Sequence, residues 1–172
     1  DDQGGVDELF KTVPTRLKQS DLERIGIVVD ADEHVLSRWA TIKSILEQSG
    51  CANVPTSPTP QGFVMQIPDG PKVGVWIMPD NKEPGILESF LAFLTPPTDP
   101  LLMHVNTFID SIPDHCNRCP NVRIPKARIH AWLAVQKEPG KPLGQAITAK
   151  YLDPTVSQVE VFLKWVRTVL ID

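Results

Sequence analysis

Ile25-Gly26-Ile27-Val28-Val29-Asp30-Ala31-Asp32-Glu33 is a short apolar run that stops abruptly at two carboxylates one residue apart. β-branched residues in an unbroken series predict a strand buried on both faces, and in open α/β sheets the functional crevice lies outside the carboxyl ends of such strands. Beyond it, Val35, Leu36, Trp39, Ile42, Ile45 and Leu46 recur at the three-and-four spacing of one helical face, and Gly50 stands where a helix would stop. The unit is therefore strand, acidic loop, amphipathic helix. Where the strand gives way to the loop, the carboxylates of Asp30 and Asp32 can converge on one hard cation. Magnesium suits such a place, because it takes one or two carboxylates and completes its shell with water and substrate phosphate. The plainer alternative makes Asp32 the N-cap of the following helix and Asp30 a solvated strand end.

A later stretch repeats this plan. Val73-Gly74-Val75-Trp76-Ile77-Met78 runs into Pro79-Asp80-Asn81 and then into a helix whose apolar face is Ile86, Leu87, Phe90, Leu91 and Leu94, with Glu88 off its centre and Pro96-Pro97 at its end. Phe63 to Ile67 reads as another strand, joined to Val73–Met78 through the turn signal Pro68-Asp69-Gly70-Pro71. Pro55, Pro58 and Pro60 mark a connecting loop. Val6, Leu9, Phe10 and Val13 predict a first helix that Pro14 shortens or kinks. Further helices are expected from Pro100 through Ile109, around Ile129 to Gln136, and from Val159 to Leu170, with a loop at Gly140 and Gly144.

At 172 residues the chain is long enough for one well-buried domain, and its apolar runs fall short of the roughly 20 residues that span a bilayer. No signal peptide opens it, and three dispersed cysteines do not make a disulfide framework, so a cytoplasmic protein with free thiols and no membrane partner is expected. The net charge of -4 argues against coating nucleic acid by bulk electrostatics. The charge is uneven, however: between Arg118 and Lys150 seven Lys and Arg residues face only Glu138. Folded back near the Asp30 strand end, that stretch would set phosphate-binding groups beside a metal; otherwise it is a solvated face.

Gly4-Gly5-Val6-Asp7, Ile25 to Asp32, Val73 to Asn81 with Gly85-Ile86-Leu87-Glu88, His130-Ala131-Trp132-Leu133-Ala134 and Pro139 to Ile147, in this order, resemble the DUF3226 family, which is related to Toprim domains. The similarity spans nearly the whole chain. It implies a single α/β domain over residues 1–172, with a Toprim-like, mainly parallel central sheet flanked by helices in a core of about 1–95 and a helical, basic C-terminal part of about 98–172. Toprim domains of primases, topoisomerases and nucleases of the overcoming-lysogenization-defect type bind magnesium for phosphoryl chemistry on nucleic acid. The resemblance thus implies Asp30 and Asp32 as the Asp-x-Asp metal ligands, Glu88 as the acid on the helix after the next strand, and Asp80 as a further candidate ligand. Magnesium, with manganese as a substitute, is the expected cofactor, and DNA or RNA the expected partner. Lys126, in Pro125-Lys126-Ala127-Arg128, is the candidate basic residue, because nuclease-type relatives use a lysine downstream of the core; its alternative is a solvated lysine at a helix start.

Toprim domains also carry a glutamate at the end of a first strand, upstream of a segment like Gly4-Gly5. Nothing after Asp1 supplies it, and Glu8 sits too late. Either the sequence is truncated before Asp1 or the protein lacks full catalytic equipment. A non-catalytic module binding nucleic acid, a nucleotide or a protein is accordingly the competing function. Among the remaining motifs, the glycines around Lys141 do not have phosphate-loop spacing, which leaves Lys141 a weak contact to backbone phosphate. His115, Cys116 and Cys119 provide only three local zinc ligands and read as surface thiols in a loop. His34, close in sequence to Asp32, can touch the site, although a histidine on the helix surface is the commoner outcome. Trp39, Trp76, Trp132 and Trp165 fall on apolar faces and are expected in the core.

Overall fold

The computed structural model describes residues 5–172, so Gly4 of the Gly4-Gly5 segment lies outside the described residues. In chain order the elements are α1 (Gly5–Leu17), β1 (Arg24–Asp30), α2 (Val35–Gln48), β2 (Phe63–Gln66), β3 (Lys72–Met78), α3 (Leu87–Phe93), α4 (Pro100–Asp110), α5 (Ile124–Ala134), α6 (Leu143–Thr148) and α7 (Ser157–Leu170), with a 3-10 turn at Asn121–Arg123. Each strand and long helix expected from periodicity is present, but β1 is well buried on one face only, with Ile27 and Val29 at 4% and 6% exposure and Val28 at 42%. Pro14 lies inside α1 without ending it, and Gly144 belongs to α6 rather than to a loop.

The sheet departs from the expected mainly parallel one. Among the described residues it has three strands in the order β1-β3-β2, with β1 parallel and β2 antiparallel to the central β3. The short turn at Pro68–Pro71 explains the antiparallel pair, since a tight connection can only fold a strand back on its neighbour. The β1–β3 pair needs a crossover, which α2 supplies. Its register sets Asp30 opposite Met78, so both strands present their carboxyl ends, and the loops that follow, on one side of the sheet.

β3 divides two cores. Val73, Val75 and Ile77 face α1 and α2, joining Val13, Leu17, Ile27, Val29, Trp39, Ile42 and Leu46. On the opposite face, Trp76 and Met78 join Phe90, Leu91, Leu94, Ile129, Trp132, Leu133, Trp165 and Val169 from the later helices. All four tryptophans are at most 3% exposed, as their sequence positions predict. Leu36, counted on the apolar face of α2, instead turns outward at 66% exposure.

α7 lies close against the sheet because two strands carry glycine beneath it. A Cβ at Gly26 would rest 3.5 Å from the Trp165 ring, an ordinary contact, whereas one at Gly74 would come within 2.2 Å of Val169 Cγ2. Val169 is fully buried and β-branched, so it has no free rotamer to retreat into. Gly74→Ala is therefore expected to cost about 1–3 kcal/mol through overpacking, measured as a lowered urea midpoint with little change in slope. Gly26→Ala should be far milder.

Candidate functional site: an acid-and-base crevice at the sheet end

A cavity of about 470 Å³ opens where β1 ends, walled by Val6 and Leu9 of α1, Val28, Asp30 and Asp32, Arg38 of α2, Ile86 and Glu88, and Val122, Arg123 and Lys126. It gathers four of the five candidate residues, Asp30, Asp32, Glu88 and Lys126. The fifth, Asp80, is not among the lining residues: its Oδ1 accepts from the backbone N–H groups of Lys82 and Glu83 at 3.1 and 2.9 Å, closing the turn after β3. A second, smaller cavity of about 420 Å³ adjoins the first and shares Asp32, Arg38 and Val122 with it. His34 lines that second cavity with Ser37 and Thr41.

Two loops hold the acids. Asp32 adopts the left-handed conformation, with φ of 54°, which aspartate tolerates better than most side chains. Its N–H donates to Gly85 O at 2.9 Å and its carbonyl accepts from Gly85 N–H at 2.8 Å, so the loop after β3 clamps the loop after β1. Gly85 itself has φ of 150°, and a Cβ there would come within 2.7 Å of Ser89 Oγ. The N-cap position of α2 belongs to His34, without a side-chain hydrogen bond. Asp32 is therefore not the helix cap that the plainer sequence reading allowed.

Asp30 accepts a hydrogen bond from the Leu87 N–H through Oδ1, at 2.9 Å, which uses one of its two oxygens. Burial pushes its carboxyl above the ordinary value of 3.8; the Leu87 hydrogen bond opposes this, the charges of Asp32 and Glu88 add to it, and Arg38 opposes it weakly. An acid with a raised folded-state pKa binds its proton more tightly folded than unfolded, so its ionisation erodes stability as pH rises from 3.8 through the folded value. Asp30→Asn, which keeps an oxygen for the Leu87 N–H, is thus expected to raise the melting temperature by about 1–3 °C at neutral pH in chelator. The advantage should vanish below the unfolded-state pKa, where both side chains are neutral. A thermal-denaturation series across pH reads both outcomes.

The other two acids are paired. Arg38 Nη2 donates to Asp32 Oδ2 at 2.5 Å; the Arg38 side chain is only 16% exposed, and its Cζ lies over the Phe10 ring at 5.8 Å from the centroid. Glu88 is 9% exposed at its side chain and faces Lys126 Nζ at 3.1 Å. α5 packs against α3, which brings the two together. Such a buried carboxylate is tolerable only with a partner. Of the basic stretch, Arg123 and Lys126 reach the cavity, whereas Arg128 pairs with Asp110 at 2.6 Å and Lys141 with Glu138 at 2.8 Å. Lys141 is held above its ordinary pKa by that Glu138 hydrogen bond.

Arg38 is the residue that sequence reading missed. Its only signal is position, six residues after Asp32 on the first turns of α2. Among the described residues no group of three or more His, Cys, Asp or Glu side chains is gathered closely enough to hold a metal, which applies to His115, Cys116 and Cys119 as to the acids. Cys116 is exposed and Cys119 half-buried. The oxygen donors nevertheless fit magnesium in chemistry, because two carboxylates suffice for an ion that keeps water and substrate phosphate in its shell. Asp30, raised by burial and by two neighbouring negative charges, is a group that a cation would relieve.

Fold and crevice together define a mixed α/β protein with acids and bases converging at the carboxyl end of its parallel strand pair. The chain belongs to the DUF3226 family, described as a protein of unknown function, whose model matches residues 1–171. No curated protein and no solved structure matches it. No helix among the described residues is long and apolar enough to cross a membrane.

Proposed function

We propose that this protein is a metal-dependent nuclease or related phosphotransferase acting on nucleic acid phosphodiesters, with a Toprim-like arrangement of its acids. The observation that carries the reading is the gathering of Asp30, Asp32, Glu88 and Lys126, which come from three separate segments, around one cavity. Structural acids have no need of such company.

Hydrolysis joins a water oxygen to phosphorus and breaks the bond to the leaving nucleoside oxygen. Asp30 and Asp32 would hold magnesium, or manganese in its place, which when bound supplies Lewis acidity and lowers the pKa of a bound water. The protein's own groups have distinct tasks. Lys126, half-exposed at the cavity wall, brings an ammonium charge to the phosphoryl oxygens as negative charge builds on them. Glu88 holds that ammonium group at the cavity wall before substrate arrives. Arg123 adds charge at the rim. The apolar wall of Val6, Leu9, Val28 and Ile86 lowers the local dielectric, which strengthens each of these interactions.

The same pairs suit a second reading. Asp32 and Glu88 already have cationic partners, and a crevice whose acids are neutralised can serve a non-catalytic module that binds a nucleic acid, a nucleotide or a protein. Incubating the protein with supercoiled plasmid in magnesium, in manganese and in chelator separates the two. Nicking that needs the divalent ion supports the nuclease; plasmid retention in a gel shift with no strand cleavage supports the binding module.

A further inference from the structure

We propose that Arg38 is a phosphate-positioning residue kept in reserve by Asp32, and that a divalent cation releases it by taking over the carboxylate. The inference rests on the metal-site reading above and adds to it a ligand for the guanidinium and a coupling between cation and substrate.

The geometry supports exchange rather than a fixed structural bridge. Arg38 meets Asp32 through Nη2 alone, and its Nε is buried with no hydrogen-bond partner, so the planar fork retains donors that the carboxylate does not use. A guanidinium group is built to engage two oxygens in parallel, as a phosphate offers them. Arg38 Cζ also lies over the Phe10 ring, 5.8 Å from its centroid, a contact that takes up none of the guanidinium N–H donors. Arg38 also stands on the boundary between the two cavities, lining both together with Asp32 and Val122. A nucleic acid strand running from one cavity to the next would pass a phosphate over it.

Lys126 and Glu88 repeat the design in the same cavity. In each pair the carboxylate is a candidate cation ligand and the base a candidate phosphate ligand. Bound to one another, neither serves the substrate; a divalent ion that draws the acids inward leaves both bases free. The absence of a preformed three-ligand group among the described residues follows from this, because two of the three acids are turned to their bases. Cation and phosphodiester should therefore assist one another by equal factors, as linkage requires.

The test uses the full chain, Arg38→Gln and Lys126→Gln, with manganese titrated alone by calorimetry and a fluorescein-labelled single-stranded oligonucleotide titrated by anisotropy with and without manganese. In the unsubstituted protein manganese is expected to tighten oligonucleotide binding about fivefold or more. In Arg38→Gln manganese alone should bind about threefold to tenfold more tightly, since its competitor for Asp32 is gone, while the manganese effect on the oligonucleotide shrinks toward unity. Lys126→Gln, altered at a half-exposed side chain whose replacement amide can still donate to Glu88, should move both quantities in the same directions. Unchanged or weaker manganese binding in both variants overturns the exchange while leaving the metal site standing. Failure of the unsubstituted protein to bind manganese overturns both.

Discussion

Asp30→Asn is expected to lower the proposed divalent-dependent cleavage by about a hundredfold or more, because it removes one of the two carboxylates proposed to hold the ion; even groups that only support metal ligands cost about 10–100-fold when lost. The isosteric amide keeps an oxygen for the Leu87 N–H, and the burial that raises the Asp30 pKa no longer acts on a charge. The variant should therefore be folded, and at neutral pH at least as stable as the parent. Loss of activity accompanied by retained or increased stability is the signature of a functional acid whose charge the fold tolerates at a cost. Asp32→Asn should lose activity similarly, although the Arg38 pair is weakened with it. Initial rates of plasmid nicking, read beside melting curves for the same preparations, give both quantities. Equal cleavage by parent and Asp30→Asn would remove Asp30 from the site.

Trp76→Ala is expected to destabilise the fold by about 3–5 kcal/mol, the range for deleting a fully buried aromatic side chain. Trp76 is 1% exposed at the middle of the central strand, with Phe162 at 5.1 Å and Trp165 at 5.7 Å between ring centroids. Around it α3 and α7 meet the sheet, and Phe162 touches Phe90 in turn at 5.3 Å. These aromatic pairs add to the area removed from water. The cavity left behind could not collapse easily, because β3 is fixed by strand partners on both edges. Against a total stability of roughly 5–15 kcal/mol, such a loss would leave a marginal protein. The damage would also reach the site: β3 leads directly into the loop whose Gly85 clamps Asp32. Denaturant midpoints measure the effect, and a loss below about 1 kcal/mol would mean that this face of the sheet is less tightly packed than its contacts imply.

The strand-acid-helix unit was legible because it is local. Ile25 to Asp30 and Val35 to Leu46 each carry their own period, and the Pro68–Pro71 turn announced the hairpin. Pairing was less legible, since nothing in β1 says which strand will lie beside it; the mixed sheet in place of a mainly parallel one follows from a four-residue turn and one crossover helix. Glu88 was named through the family resemblance, but its partner was not legible: α5 covers it and supplies Lys126, a contact between residues 38 positions apart. Arg38 was invisible for the same reason. On α2 alone it is one more polar residue beside the apolar stripe, and only Asp32 before it and Phe10 beneath it, from α1, make it a member of the site. Asp80 shows the reverse case, because an acid after a strand can accept from the backbone of its own turn.

The central claim is that the crevice at the end of β1 holds a divalent cation on Asp30 and Asp32. Diffraction from crystals soaked in manganese, with anomalous maps recorded near the manganese edge, tests it most directly. The account predicts an anomalous peak between those two carboxylates, with Arg38 withdrawn from Asp32. A map with no peak in the crevice, and Arg38 still on Asp32 at saturating manganese, would contradict it.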